Sequence, residues 1–276
     1  MNQALNLIVP IDFTVQSKNS LQLTRCLSRY HELRVHLIHW VKPLPKLLKL
    51  SNKTELHEYD YALNLVDDRK QKIKKLARKF SRPNINFIKN IKVGSFIPGL
   101  KEATANINPD LIVMGTSGKH SFSEKLKGNK VERVVRNIPK PVLSVRKFHK
   151  NLQISNILLV VDMSDQFQGI ANVVKLSKIF GSTIHLLMVN PSNLDQKKEA
   201  VLHMKLITLQ HGIEDYTLNY VAGEEEFRSI KSIAKIKKAN LIAVFTENQH
   251  LITDLFNKDT AKQLINKAAR PVLTVK

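Results

Sequence analysis

The stretch DLIVMGTSGKHSFSEKLKGNKVERVVRNIPKPVLSV, residues 110–145, decides the fold. It opens with a four-residue apolar run, Leu111 to Met114, closed at once by Gly115. A run that short is a buried parallel strand rather than a helix. Gly115, Gly118 and Gly128 follow, with two and then nine residues between them. Lys130 to Asn137 carries Val131, Val134 and Val135 at helical spacing. Pro139 and Pro141 stop that helix, and a second apolar run, Val142 to Val145, comes next. Strand, glycine loop, helix, strand is the architecture of a phosphate site. Glycine lets the backbone approach a ligand, and a helix N-terminus offers N–H groups and partial positive charge.

Working outward, short apolar runs alternate with helical patterns. Strands are predicted at Leu5–Ile11, Arg34–Val41 and Asn86–Val93, and helices at about 20–30, 54–80 and 98–107. Thr14 to Asn19 reads as a polar link and residues 44–53 as a basic connector. Alternation with short loops implies a parallel sheet covered by helices on both faces. The pattern then repeats. Asn156–Asp162 matches the first strand, with Asp162 falling 150 residues after Asp12; Thr183–Val189 matches the second. Asn240–Val244 and Arg270–Val275 match the fourth and fifth at an offset of 130. A long unit occurring twice is a duplication, not a solenoid. The expected domains are residues 1–147 and 154–276, joined by a short polar link.

Three signatures stand in one order in the first unit: Leu7-Ile8-Val9-Pro10-Ile11-Asp12, the Gly-x2-Gly-x9-Gly spacing, and Arg136-Asn137-Ile138-Pro139-Lys140-Pro141-Val142. Together they resemble the universal stress protein family. The resemblance implies two tandem doubly wound α/β domains, each a five-stranded parallel sheet of order 3-2-1-4-5. It also implies that the halves form internally the side-by-side dimer many members make, with further homodimerisation open. It implies a nucleotide site in the first domain, with ATP, with or without magnesium, as the expected ligand. Pro10, Ile11 and Asp12 would meet adenine and ribose; Met114, Gly115, Ser117 and Gly118 would line ribose and phosphates. Gly128, Asn129, Lys130 and Val131 would face the phosphates at the helix start. Lys119, Lys125 and Lys127 are further loop cations, though Lys130, in the first helical turn, is the best placed.

Two positions depart from the family pattern. Asn129 stands where ATP binders usually carry Ser or Thr; its amide can cap the helix and donate to a phosphate. Trp40 ends the second strand where the family often has Val beside the adenine. The indole either stacks on the base, fills the pocket, or is core. At the 130-residue offset the second unit puts Phe245, Asn248, Lys258 and Asp259 in place of Gly115, Gly118, Gly128 and Asn129. Side chains, with Glu247 and Asp259 adding negative charge, would stand where a phosphate would go, so the second domain is expected to hold none.

Composition sets the outer bounds. The chain has 276 residues and a formal charge of +21. Residues 1–150 hold 29 Lys+Arg against 11 Asp+Glu, leaving 15 against 12 beyond, so +18 sits in the first part and +3 in the second. A basic half attracts polyanions. The helix over residues 69–82 carries Arg69, Lys70, Lys72, Lys74, Lys75, Arg78, Lys79 and Arg82, either a solvated outer face or a docking patch. One cysteine, Cys26, excludes an internal disulfide, and its apolar helical face marks it as a core thiol. No apolar run reaches the ~18 residues of a membrane span, and a cytoplasmic location is expected. The ten histidines show no metal-ligand spacing. Serine-hydrolase and P-loop motifs are absent, as are aromatics interleaved with the basic residues. No motif places a general base, so the expected output is regulatory, with slow ATP hydrolysis the most an enzyme reading allows. The other classes left open are a polyanion-binding protein and a nucleotide-free scaffold.

Overall fold

The computed structural model describes residues 4–42, 54–117, 129–148, 152–161, 169–189, 194–221, 226–245 and 259–276. Gly118, Gly128, Lys119, Lys125, Lys127, the connector 44–53 and Asp162 lie outside the described residues.

The chain divides into two compact units, residues 1–114 and 115–276. The first holds β1 (Leu5–Pro10), α1 (Val15–Leu27), β2 (Leu33–Val41), α2 (Thr54–Phe80), β3 (Ile85–Val93), α3 (Phe96–Ile107) and most of β4 (Leu111–Gly115). The second continues with α4 (Lys130–Asn137), β5 (Val142–Val145), β6 (Asn156–Val161), α5 (Ile170–Phe180), β7 (Thr183–Val189) and α6 (Leu194–His211). It ends with β8 (Tyr216–Val221), α7 (Glu226–Ile236), β9 (Leu241–Phe245), α8 (Asp259–Lys267) and β10 (Val272–Val275). Strand order is 3-2-1-4-5 in the first half, and the second half repeats it as β8-β7-β6-β9-β10.

Burial explains the strands. In β4, Leu111 to Met114 are all buried, as a parallel strand covered on both faces requires. β1 pairs in parallel with β2 from Leu5↔Leu33 to Pro10↔Ile38, and with β4 at Leu7↔Leu111. Pro10 lacks an N–H and ends the strand.

The helices begin and end for local reasons. α1 starts at Val15, five residues before the predicted Ser20, because Thr14 is its N-cap and accepts from the Ser17 N–H. The supposed polar link is therefore helix. Ser20 and Thr24 are buried inside it but donate to the carbonyls of Ser17 and Ser20, so their hydroxyls cost little. α3 ends in Asn108 at φ 47°, a left-handed cap that Asn tolerates, and Pro109 then bars continuation. Cys26 is buried in α1, and that burial raises its thiol pKa, as an inert core cysteine requires.

Within the second unit the two fifth strands, β5 and β10, meet antiparallel. Leu143 pairs with Leu273, its own counterpart 130 residues on. Around that point the contacts exchange symmetrically. Ser144 Oγ donates to Val272 O and Thr274 Oγ1 to Val142 O, each at 3.2 Å. Arg146 Nη1 donates to Asn266 O at 3.3 Å, and Lys276 Nζ to Arg136 O at 3.4 Å. Residue i meeting j while the copy of j meets the copy of i is the mark of a two-fold interface. The duplicated strands thus form a pseudo-dimer seam within one chain.

Candidate functional site

In the first unit the carboxyl ends of β1, β2 and β4 supply Pro10, Ile11, Asp12, Trp40 and Met114. Ile11 is buried and extends the parallel pairing, its N–H donating to Ile38 O at 2.9 Å. Asp12 is exposed. Its Oδ1 accepts from the Thr14 hydroxyl at 2.5 Å and the Thr14 N–H at 3.2 Å. Because Thr14 caps α1, the carboxylate holds that helix start in place. Asp162 is its counterpart by sequence, and a role in capping gives Asp12 a reason to exist independent of any ligand.

Two residues at this end lie outside the sequence-derived set. His39 Nδ1 lies 2.6 Å from Ile11 O. Its ring packs at 4.7 Å from that of Phe13, whose other neighbour is the Arg69 guanidinium at 5.6 Å. Phe13 has φ 63°, a left-handed conformation uncommon for a bulky residue and concentrated at functional turns. Sequence carries no sign of that backbone angle.

Trp40 faces away from His39, as adjacent strand residues do. Its indole meets Phe96 edge-on, with centroids 5.4 Å apart, and lies against Gly99 of α3. A methyl group at Gly99 would overlap the indole nitrogen, so the close approach requires glycine there. Trp40 Nε1 is buried and has no hydrogen-bond partner among the described residues. The indole therefore packs on the neighbouring helix. Met114, the last residue of β4 before Gly115, is 4% exposed.

In the second unit Gly115 is half-buried, Thr116 N–H donates to Val145 O at 3.0 Å and Ser117 is exposed. α4 is capped as its sequence suggests, by Asn129 at φ −73° and ψ 172°. Asn129 Oδ1 accepts from the Glu132 N–H at 2.9 Å. Its amide group, however, donates to Asn266 Oδ1 at 2.5 Å, and Asn266 Nδ2 donates to Glu132 Oε1 at 2.7 Å. All three residues are buried, so the ring of bonds fixes both amide orientations. Asn129 thus gives one of its two amide N–H donors to α8. Lys130 is exposed in the first turn, while Val131 is buried beneath it. Asn266 lies 137 residues from Asn129, beyond any local motif.

The second repeat differs at the matching strand end. Phe245, in the place of Gly115, is 4% exposed. A methyl group added at Gly169, which precedes α5, would stand 3.0 Å from the Phe245 ring. It would also stand 2.9 Å from the Lys276 carbonyl, so backbone and ring together favour glycine there. Asn248 and Lys258 lie outside the described residues. Among the described residues no group of three or more His, Cys, Asp or Glu is placed to hold a metal, and no helix is long and apolar enough to cross a membrane.

The sequence profile of the universal stress protein family matches residues 5–146. Universal stress protein Slr1230 of Synechocystis is 26% identical over 170 residues, covering 60% of this chain and 57% of that protein. A universal stress protein from Archaeoglobus fulgidus shares the fold at a TM-score of 0.70 and 19% identity, covering 99% of this chain and 97% of its own. A protein from Pseudomonas aeruginosa UCBPP-PA14, solved as a candidate universal stress protein, aligns at 0.63 and 16% identity, covering 99% and 93%.

Proposed function

This chain belongs to the universal stress protein family, and from that premise we propose that its first domain, residues 1–147, binds ATP or a related adenine nucleotide. The observation that carries the proposal is the contrast at one position of the repeat. Gly115 leaves the end of β4 without a side chain, whereas Phe245 fills the end of β9 with a buried ring. In this reading the first domain takes the ribose and phosphates where glycine stands, and the second, residues 154–276, serves as partner and scaffold. Pro10, Ile11 and Asp12 are assigned to the base and ribose, and Met114, Gly115, Ser117 and Gly118 to the ribose and phosphates. Gly128, Asn129, Lys130 and Val131 are assigned to the phosphates.

Because Asn129 is bonded to Asn266 and Glu132, its contribution is to hold the start of α4. Phosphate charge then falls to backbone N–H groups of the first turn and to Lys130. Magnesium would supply further charge neutralisation. Trp40 packs on Gly99 and Phe96, and in this reading the indole so held is a wall beside the base. The output is regulatory, through nucleotide-dependent binding of partners in a stress response in the cytoplasm, without efficient turnover.

The test is isothermal titration of the purified protein with magnesium-ATP, beside Gly115→Phe, which imports the second repeat's ring. One site per chain in the wild type and none in the variant, with both proteins folded by circular dichroism, is the expected result. Equal binding by both, or heat in neither, overturns the reading.

A further inference from the structure

We propose that the outer face of α2, together with the carboxyl end of α1, is a docking surface for the phosphate backbone of duplex nucleic acid. It is read by charge rather than by base sequence.

The surface belongs wholly to the first unit. Ile73, Ala77 and Phe80 are buried and turn one side of α2 inward. The remaining arc of its last three turns holds Lys70, Lys72, Lys74, Lys75, Arg78 and Lys79, all exposed, and Arg82 follows the helix, also exposed. Lys70, Lys74 and Arg78 stand on one line, and Lys75 and Lys79 on another, with members about 6 Å apart along the axis. Asp67 and Asp68, at the start of this stretch, are bonded to Lys70 and Lys72 at 3.0 and 2.7 Å. Lys74, Lys75, Arg78, Lys79 and Arg82 make no ion pair among the described residues. Arg25 reaches over from α1 to stack at 5.9 Å on the Phe80 ring, and Arg29 and Arg34 are exposed nearby in the chain at the same end of the sheet. Glu32 is the exposed acid there.

Charge of one sign along a helix face matches a linear polyanion. Three features select the duplex backbone. The apolar side of α2 is already buried, so the helix has no face to insert among lipid chains. The arc carries no exposed aromatic on which unpaired bases would stack. It presents lysine and arginine in rows, the side chains that neutralise phosphates and release counterions. The patch runs along α2 from Lys70, next to Arg69 on the Phe13 ring, to Arg82 before the amino end of β3, and none of its residues is assigned to the nucleotide, so the proposal does not rest on the nucleotide reading.

The experiment is fluorescence anisotropy with a labelled random-sequence 24-base-pair DNA duplex at salt concentrations from 50 to 200 mM. Five neutralised phosphates correspond to a logarithmic slope of about −4.5, a loss of roughly 500-fold in affinity across that range. In the Lys74→Gln/Lys75→Gln/Arg78→Gln/Lys79→Gln variant the slope is expected to flatten by about 3.6 and the affinity at low salt to collapse. These residues are exposed, so the variant stays folded, checked by its melting temperature. An unchanged slope in the variant overturns the proposal. So does tighter binding of the single strand of the same length, or binding to phosphatidylserine vesicles that excess duplex fails to displace. Saturating magnesium-ATP is expected to leave the variant-dependent change in slope intact.

Discussion

α2 and α6 hold the same place in the two repeats, each bridging a second strand to a third, yet they show the solvent opposite surfaces. Both bury one apolar side: Ile73, Ala77 and Phe80 in α2, Ala200, Met204 and Ile207 in α6. Outward, α2 carries lysine and arginine, whereas α6 sets Leu202, Leu206 and Leu209, exposed by 61, 51 and 81%, among Lys198, Glu199 and Lys205. The ends of β4 and β9 diverge likewise, glycine against phenylalanine. The fold thus constrains the inward side of each of these helices, whereas the buried Phe245 shows that a strand end can change inwardly as well. The outward side was free to change after duplication, and there the halves have specialised. The seam between β5 and β10 behaves in the opposite way, because each copy's residues pack against the other's and neither can change alone.

Breaking that seam should have the largest effect. Leu143→Ala and Leu273→Ala are each expected to cost 2–5 kcal/mol, in the range of buried leucine truncations, by about the same amount. Because the two side chains face each other, the double variant should depart from the sum by ~0.5–3 kcal/mol. Urea unfolding measures both; strict additivity would contradict the shared seam. Next is the ligand contrast. Magnesium-ATP at 100 times its dissociation constant should stabilise the wild type by about 2.7 kcal/mol and Gly115→Phe by nothing, read as a shift in thermal midpoint. A smaller effect comes from Asn266→Ala. It strips a partner from both Glu132 and Asn129 and should cost ~1–3 kcal/mol. Asn266→Asp should do no better, since it sets a second carboxylate against Glu132.

The paired histidines sharpen the comparison through pH. His36 and His185 occupy equivalent registers, opposite Ile8 and Leu158. His185 is buried, with Thr217 Oγ1 at 2.8 Å and Asn156 Oδ1 at 3.0 Å from its ring nitrogens. Burial, and secondarily Lys237, lowers its pKa from 6.5, with Asp215 opposing. Burial, then Arg34, lowers that of His36. A lowered folded pKa means the unfolded chain binds more protons as pH falls. Stability is therefore complete above about 6.5 and drains away as pH drops from there through the folded pKa. Urea midpoints between pH 8 and 5 should show this decline, and His185→Gln should flatten it while the contribution of His36 remains. The smallest effect lies on the leucine face. Leu206→Gln should change stability by no more than ~0.5 kcal/mol, while Met204→Ala, two residues away and buried, should cost ~2–5 kcal/mol. A large cost at Leu206 would mean that its side chain is covered in solution.

The legible parts were those governed by neighbours in the chain. Apolar runs of four to seven residues marked the strands. The spacing of Ile73, Ala77 and Phe80 marked α2, whose bounds at Thr54 and Phe80 matched the expectation. Asn129 announced the start of α4. The α1 boundary was missed because its cap, Thr14, is itself held by Asp12, and a Ser/Thr-rich segment reads as a loop until its hydroxyls find backbone carbonyls. The duplication was legible because Leu, Ile and Val recur at fixed offsets. From that repeat and three short signatures, sequence alone determined the family, the strand order and the charge division between the halves.

Only the tertiary structure decided what the polar groups do. The Asn129–Asn266–Glu132 ring joins residues more than 130 positions apart, and an asparagine capping a helix looks the same in sequence whether its amide meets a phosphate or another helix. The fit of Trp40 against Gly99, of Phe245 against Gly169, and the left-handed turn at Phe13 likewise depend on which surfaces meet. Secondary structure and burial follow from short-range periodicity, which a sequence displays. Hydrogen-bond partnership and close packing require positions in space, which chain order does not specify.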